Sequence, residues 1–556
     1  MCINDENKIN FNISNFSKIP GSTLAYWASN EIIENFGNDS IEDVANPRQG
    51  LATGNNDKYL KYWFEINFNE IGFNYNSNED FLQSKKVYAP HNKGGNYRKW
   101  YGNYEYVIKF NQKAYNELLN LGNHLPSREL YFKPSVSWSK VASNRFSTRY
   151  IVKGCVFDGA GSSLFANEEL LYWLLGLTNS KITQIYKNVI NPTLGFQVGD
   201  MRKIPVIYKD NYKKEILDLV KENISICKTD WDNYETSWDF KSHFLINFNN
   251  NQLKQIYKEW VVFSESQFNK LKLNEEKLNR LFSNIYKVPF DISVNNKDIS
   301  ISESNLELDI KSFISYAIGC MFGRYSLDND GLQFAGGEFN INNYHKFIPD
   351  DDNIIPVLDT AYFDDDIVGY FTKFVEICFG EETLEQNLDF IAGALSKSNK
   401  PSREIIRQYL LKNFFNDHKK IYKKCPIYWQ FSSGKENGFN CLVYMHRYEP
   451  SLVARIRTDY LHKTQKAIEQ AIVNCDNIIN HSSSNTEISK ANKDKSKLQK
   501  QLKETQEYDE ALAHIANQNI QIDLNDGVKV NYAKFQNIIV SKEGKKSKKI
   551  NLLKKL

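Results

Sequence analysis

The chain has 556 residues, 41% of them hydrophobic and 14% aromatic, with a formal net charge of +3. That is too long for one core and suggests roughly three domains, and no run approaches the ~20 apolar residues of a membrane-spanning helix. The first residues, Met1 to Asn7, lack the basic start and apolar run of a secretory signal, and eight cysteines without C-x-x-C spacing imply reduced thiols in a cytoplasmic protein with no cysteine-held metal.

In chain order, residues 1–205 read as an irregular, aromatic-rich α/β domain. Tyr104–Phe110 and Arg149–Phe157 look like strands, and Glu168–Lys187 reads as one helix with an apolar surface around Leu171, Trp173 and Leu174. Between Lys85 and Arg149, twelve Lys or Arg face only three acids, so a polyanion is drawn here. Three clusters in this domain have residue types suited to DNA. One is a Gly- and Asn-rich turn, Gly50 to Asp57, with Arg48 ahead of it; Asn55 and Asn56 offer paired donors and acceptors to a base edge. The loop His91–Asn103 bends at its glycines, offers Lys93, Arg98 and Lys99 to phosphates, and carries Trp100 to stack or wedge. The segment Ser137-Trp138-Ser139-Lys140 runs on to Arg145 and Arg149, basic and rich in hydroxyls.

Phe157-Asp158-Gly159-Ala160-Gly161 has the look of a glycine-rich S-adenosylmethionine site. An adenine amino-methyltransferase also needs an Asn/Asp-Pro-Pro-aromatic loop for the flipped base. None of the 13 prolines is adjacent to another, and the two Asn-Pro pairs continue as Asn46-Pro47-Arg48 and Asn191-Pro192-Thr193. The glycines are therefore read as a tight turn joining strand to helix.

Residues 206–349 read as a helical scaffold, with Leu271, Leu278, Leu281, Phe282 and Ile285 at helical spacing. Within it, Glu307-Leu308-Asp309-Ile310-Lys311 mimics the acid-x-Lys of a metal nuclease and is read as chance alternation. Residues 350–462 form an acidic mixed or helical domain; twelve acids oppose Lys373 alone between Asp350 and Asp389, read as a solvated face. Ser432-Ser433-Gly434-Lys435 is read as a turn rather than a phosphate loop. Residues 463–541 form a long helical hairpin, broken at His481–Asn485, and the end of the fold. Residues 542–556, with seven Lys and one Glu, read as a disordered, solvated basic tail. The fold class expected is α+β, mostly helical.

Several stretches resemble the carboxy-terminal half of the PglX family, the BREX phage-exclusion adenine-specific DNA methyltransferases. They are Lys18–Ser22, Arg48–Asp57, Trp138–Lys140, Phe157–Phe165, Asn191–Thr193, Phe196–Asp200, Trp231–Phe240, Gly319–Tyr325 and Pro426–Gly434. The segment Leu174–Pro205 is also similar to the end of recognition domains in type IIG and type I restriction-modification systems. The resemblance implies a target-recognition half, restriction-modification-like in design, that reads double-stranded DNA for phage defence. Catalysis and S-adenosylmethionine are then expected on a separate methyltransferase half, from a split gene or a truncation, with other BREX proteins as partners and no membrane. No catalytic or cofactor-binding residue carries over, so the chain is expected to be inactive alone. Two other readings stay open: a specificity-subunit-like or protein-interaction scaffold without methyl transfer, and an intact enzyme with cryptic methyl transfer.

Overall fold

The computed structural model describes residues 17–21, 25, 27–122, 124–141, 145–540 and 547–556. Met1–Asn7 with Cys2, Ser22 of the Lys18–Ser22 stretch, and residues 542–546 of the basic tail lie outside the described residues. The described chain is α+β and mostly helical. It divides into two compact units, each assembled from separate segments. The first comprises Met1–Trp63, Glu70–Asp232 and Val261–Glu303; the second comprises Phe64–Asn69, Asn233–Trp260 and Ser304–Leu556.

The first unit is built on two four-stranded sheets. Its strands are β1 (Asn46–Arg48), β2 (Leu60–Tyr62), β3 (Tyr88–Asn92), β4 (Tyr106–Lys109), β5 (Ser135–Trp138), β6 (Thr148–Ile151), β7 (Val156–Phe157) and β8 (Ser163–Phe165). One sheet has the order β1-β8-β5-β6 and is antiparallel throughout; the other has the order β2-β4-β3-β7, with β3 and β7 parallel. Rings fill the core between these elements: Phe81 stacks on Phe132 at 5.6 Å and meets Phe110 edge-on at 5.8 Å.

Two expected elements divide. The strand expected over Arg149–Phe157 is β6 and β7, in different sheets. The chain turns between them at Gly154, which adopts φ +93° and passes so close to Asn74 that a Cβ would lie 2.8 Å from its backbone nitrogen. The helix expected over Glu168–Lys187 is Glu168–Asn179 followed by Lys181–Ile190, with Ser180 extended at ψ 159°. The cause lies in Asn179, whose buried amide accepts from Thr148 N and donates to Thr148 O, both at 2.9 Å. It thus binds the β6 backbone as a neighbouring strand would, and the helix ends there.

In the second unit, the helices Leu306–Met321, Ile367–Phe379, Leu384–Leu395 and Ser402–Tyr409 accompany a small antiparallel sheet. Its strands β9 (Ile355–Pro356), β10 (Tyr428–Ser432) and β11 (Asn440–Tyr444) lie in the order β10-β11-β9. Arg324 is fully buried and donates to Tyr444 Oη at 2.8 Å and Tyr325 Oη at 3.2 Å. Phe322 stacks on Tyr428 at 5.5 Å, which joins the Gly319–Tyr325 and Pro426–Gly434 stretches. The hairpin forms as His462–His481 and Asn485–Ala516, with Ser484 capping the second helix.

The acidic run is not simply a solvated face. Asp366 is buried and held by both guanidinium nitrogens of Arg407 at 2.6 and 2.8 Å. Asp350 is buried too, and burial followed by the charge of Asp352 pushes it up to about 8. The described part of the basic tail is ordered, although its lysines Lys548, Lys549 and Lys555 stay exposed. Lys548–Ile550 forms β13, antiparallel to β12 (Ile538–Val540), because Leu552 and Leu553 behind it supply apolar surface and are fully buried. The nuclease-like motif is consumed structurally. Asp309 accepts from Trp260 and Tyr257, while Lys311 pairs with Glu307 and Asp417.

Candidate nucleic-acid interface

In the first unit one buried side chain, that of Asn92, joins two of the three expected clusters, the His91–Asn103 loop and the Ser137–Lys140 segment, to the Gly159–Gly161 turn. The Gly50–Asp57 turn reaches the same place through Leu51, which donates to Phe157 O and accepts from Gly159 N, both at 3.0 Å. Asn92, the last residue of β3, donates to Ser137 Oγ at 2.7 Å and Gly161 O at 3.1 Å, and its own oxygen accepts from Gly94 N at 3.2 Å. Ser137 in turn donates to Ser162 O at 3.0 Å. Lys140 N reaches Ala160 O at 2.9 Å, and Ser139 Oγ donates to Gly95 O at 2.9 Å. The loop after β3, the end of β5 and the turn between β7 and β8 are therefore one hydrogen-bonded body.

Two concavities open on it. One, of about 330 Å³, is lined by Leu51–Gly54, Asn56, Lys93 and Asp158–Ala160. The other, of about 360 Å³, is lined by Gly95–Tyr97, Ser139, Val141, Arg145 and Ser147.

The expected contact residues separate into a rim and an interior. Asn55 and Asn56 are exposed, but each already has a local task. Asn55 caps the turn Asn56–Tyr59 by accepting from Lys58 N at 3.1 Å, and Asn56 accepts from Thr53 Oγ1 at 2.5 Å. Arg48 and Lys140 are half-buried, with no ion-pair partner among the described residues. Lys93 is half-buried, 3.7 Å from Asp158 and over the Tyr106 ring. Arg145 is exposed, pairs with Asp298 at 3.1 Å, donates to Lys297 O and lies over the Tyr97 ring.

The remaining residues are buried or half-buried in the first unit. Trp100 and Trp138 are completely buried; their indole nitrogens donate to Glu275 at 2.7 Å and Phe196 O at 2.9 Å. Lys99 pairs with the same Glu275 at 2.7 Å. Burial alone would lower this lysine, yet the Glu275 carboxylate outweighs it and holds the ammonium above its ordinary range. Arg98 is half-buried against Asp230 at 3.2 Å and the Trp231 ring. Ser137 is buried, and so is Arg149, which reaches Ser139 Oγ at 3.3 Å while its Nε and Nη1 find no partner among the described residues. Burial drops the Arg149 guanidinium to about 10. In this arrangement these side chains hold the loops.

Residue type alone did not single out Asn92, His91 or Asp158. The buried His91 ring lies 3.4 Å from Asp158. Burial pushes Asp158 up, but the His91 hydrogen bond and charge, the Gly161 N–H and Lys93 outweigh it and leave the carboxyl below its usual range. The glycine-rich turn does not fit S-adenosylmethionine. Asp158 accepts from Ala160 N at 2.7 Å and Gly161 N at 2.9 Å, so its carboxylate is spent within the turn. A Cβ on Gly161 would meet Gly94 N at 2.6 Å and Asn92 O at 2.7 Å, so this glycine serves the close approach of the protein's own backbone. The turn also joins strand to strand, not strand to helix. Among the described residues, no helix is long and apolar enough to cross a membrane.

No family model matches the chain. It is 38% identical over 545 residues to the adenine-specific methyltransferase PglX of Lacticaseibacillus casei (strain Zhang), covering 94% of this chain and 45% of that protein. It is 35% identical over 566 residues to the adenine-specific methyltransferase BrxX of Escherichia coli O9:H4 (strain HS), covering 95% of this chain and 45% of that protein. The chain is PglX-like along nearly all its length and spans less than half the length of these curated relatives.

Proposed function

We propose that this PglX-like chain is the DNA sequence-recognition part of an N6-adenine methyltransferase, cytoplasmic and serving phage defence, with methyl transfer carried out by residues outside these 556. The observation that carries the reading is the convergence of three loops on the Asn92–Ser137–Gly161 joint. Side chains of the two kinds that DNA recognition needs stand on that body. Lys93, Lys140, Arg145 and Arg48 offer positive charge to phosphates, and the exposed amides of Asn55 and Asn56 offer both donor and acceptor to a base edge. Binding by a partner half would then present the duplex so that an adenine is flipped and methylated there. The lack of an Asn-Pro-Pro-aromatic sequence and the misfit of the glycine-rich turn support placing that chemistry elsewhere.

A titration of labelled duplex against the chain across ionic strength tests this. Phosphate contacts give log K a slope of about −0.9 per neutralised phosphate in log salt. Absent affinity, or affinity indifferent to salt, favours the interaction-scaffold reading instead. S-adenosylmethionine binding by the chain alone would favour the intact-enzyme reading.

A further inference from the structure

The second unit carries a separate concavity of about 790 Å³ between the hairpin helix Asn485–Ala516, the β10–β11 turn and the final strand. Seven lysines and three glutamates line it. The acids are largely spoken for. Glu504 accepts from Ser433 Oγ at 2.7 Å, Glu436 N at 2.8 Å and Gly438 N at 3.2 Å, fastening the turn to the helix. Glu507 is taken by Lys548. Lys500, Lys503, Lys549 and Lys555 are exposed and have no ion-pair partner among the described residues. Lys500 and Lys503 stand about one helical turn apart on a rigid helix, and Lys549 comes from the strand. Lys554 at the wall is half-buried against Gln430, with no ion-pair partner among the described residues; burial and then Lys419 hold its ammonium below the usual lysine range.

From this geometry we infer that the second unit has its own site for a nucleic-acid phosphate backbone, indifferent to base sequence. Lysines act on phosphates as point charges and carry no base information. An acidic protein partner fits less well, because protein interfaces are anchored by exposed aromatic or apolar side chains. Here Tyr508 and Leu553 are buried in the fold, which leaves Ile550, half-buried, as the apolar side chain the lining offers. The site stands apart from the recognition reading, since it shares no residue with the interface of the first unit.

The test compares the full chain with its Lys500→Glu/Lys503→Glu/Lys549→Glu variant. All three positions are exposed, and thermal melting checks that the fold is retained. Binding of labelled duplexes of equal length and different sequence is measured across salt, with polyglutamate as competitor. The expected result is a loss of tenfold or more for every duplex at low salt, a shallower salt slope by up to about 3 (~0.9 per phosphate), and unchanged ratios between sequences. Unaltered affinity and slope would overturn the inference. So would displacement of duplex by polyglutamate at equal charge, which would mark an acidic-protein surface. If Lys140→Ala leaves binding intact while the triple variant loses it, the recognition reading fails and this site stands.

Discussion

The Asn92 side chain donates to the Ser137 hydroxyl at 2.7 Å and so ties the last residue of β3, in one sheet, to β5, in the other. Both side chains are buried, and the loops carrying Lys93 and Lys140 leave from the two ends of this bond. Asn92→Ala leaves Ser137, Gly161 O and Gly94 N short of a partner, so it is expected to cost about 1–3 kcal/mol in urea unfolding. It is also expected to blur discrimination between duplexes before it abolishes binding. Full discrimination at reduced stability would mean that the loops keep their arrangement without the joint.

Glu275 holds Lys99 and Trp100 at once, each at 2.7 Å, and is itself buried. Glu275→Ala leaves a buried ammonium unpaired and is expected to lower stability by about 3–5 kcal/mol. Glu275→Gln keeps an acceptor for the indole and should cost less. Equal losses for the two variants would show that the ionic component is negligible.

This pair also marks how far the sequence could be read. The three loops were legible from glycines, amides and cations at short spacing, and the hairpin from the break at His481–Asn485. Which cations remain available was not legible. Lys99 and Trp100 are spent on a carboxylate 176 and 175 positions away, and Arg98 on Asp230, 132 away, distances no local pattern reports. Arg149 looked like a contact, yet it sits in the interior because β6 pairs with β5 and turns it under Ser139. The division of the Arg149–Phe157 run depended on a close approach of Gly154 to Asn74, again a tertiary fact.

Glu235 gives a pH prediction. Burial first, opposed by Ser315 and Arg324, pushes this carboxyl up to about 7. Its proton is held more tightly folded than unfolded, so its contribution is complete below the unfolded carboxyl value of ~4.3. That contribution is then lost as pH rises to about 7. At 1.36 kcal/mol per pKa unit, the loss is on the order of 4 kcal/mol. Glu235→Gln should flatten this part of the stability–pH curve in denaturant unfolding between pH 4 and 8. A curve that keeps the wild-type slope would assign the dependence to another group.

Asn55 separates a structural task from a reading task. As the cap of Asn56–Tyr59 it is expected to cost about 1 kcal/mol when changed to Ala. Asn55→Asp keeps the capping oxygen but loses the amide donor, so stability should persist while sequence discrimination falls. Discrimination that survives in Asn55→Asp would remove Asn55 from base reading and leave it as a cap.

Lys140→Ala is expected to weaken all duplexes about equally and to reduce the salt slope by about 0.9, the value of one phosphate. A sequence-dependent effect would move Lys140 from phosphate to base contact.

Selection from a randomised duplex library by the chain, followed by sequencing of the retained DNA, tests sequence recognition most directly. One enriched motif is expected with the wild-type chain, blurred by Asn55→Asp and recovered in much lower yield with Lys93→Ala/Lys140→Ala/Arg145→Ala. Retained DNA with no common sequence, or a yield untouched by that triple change, would contradict DNA recognition by the first unit.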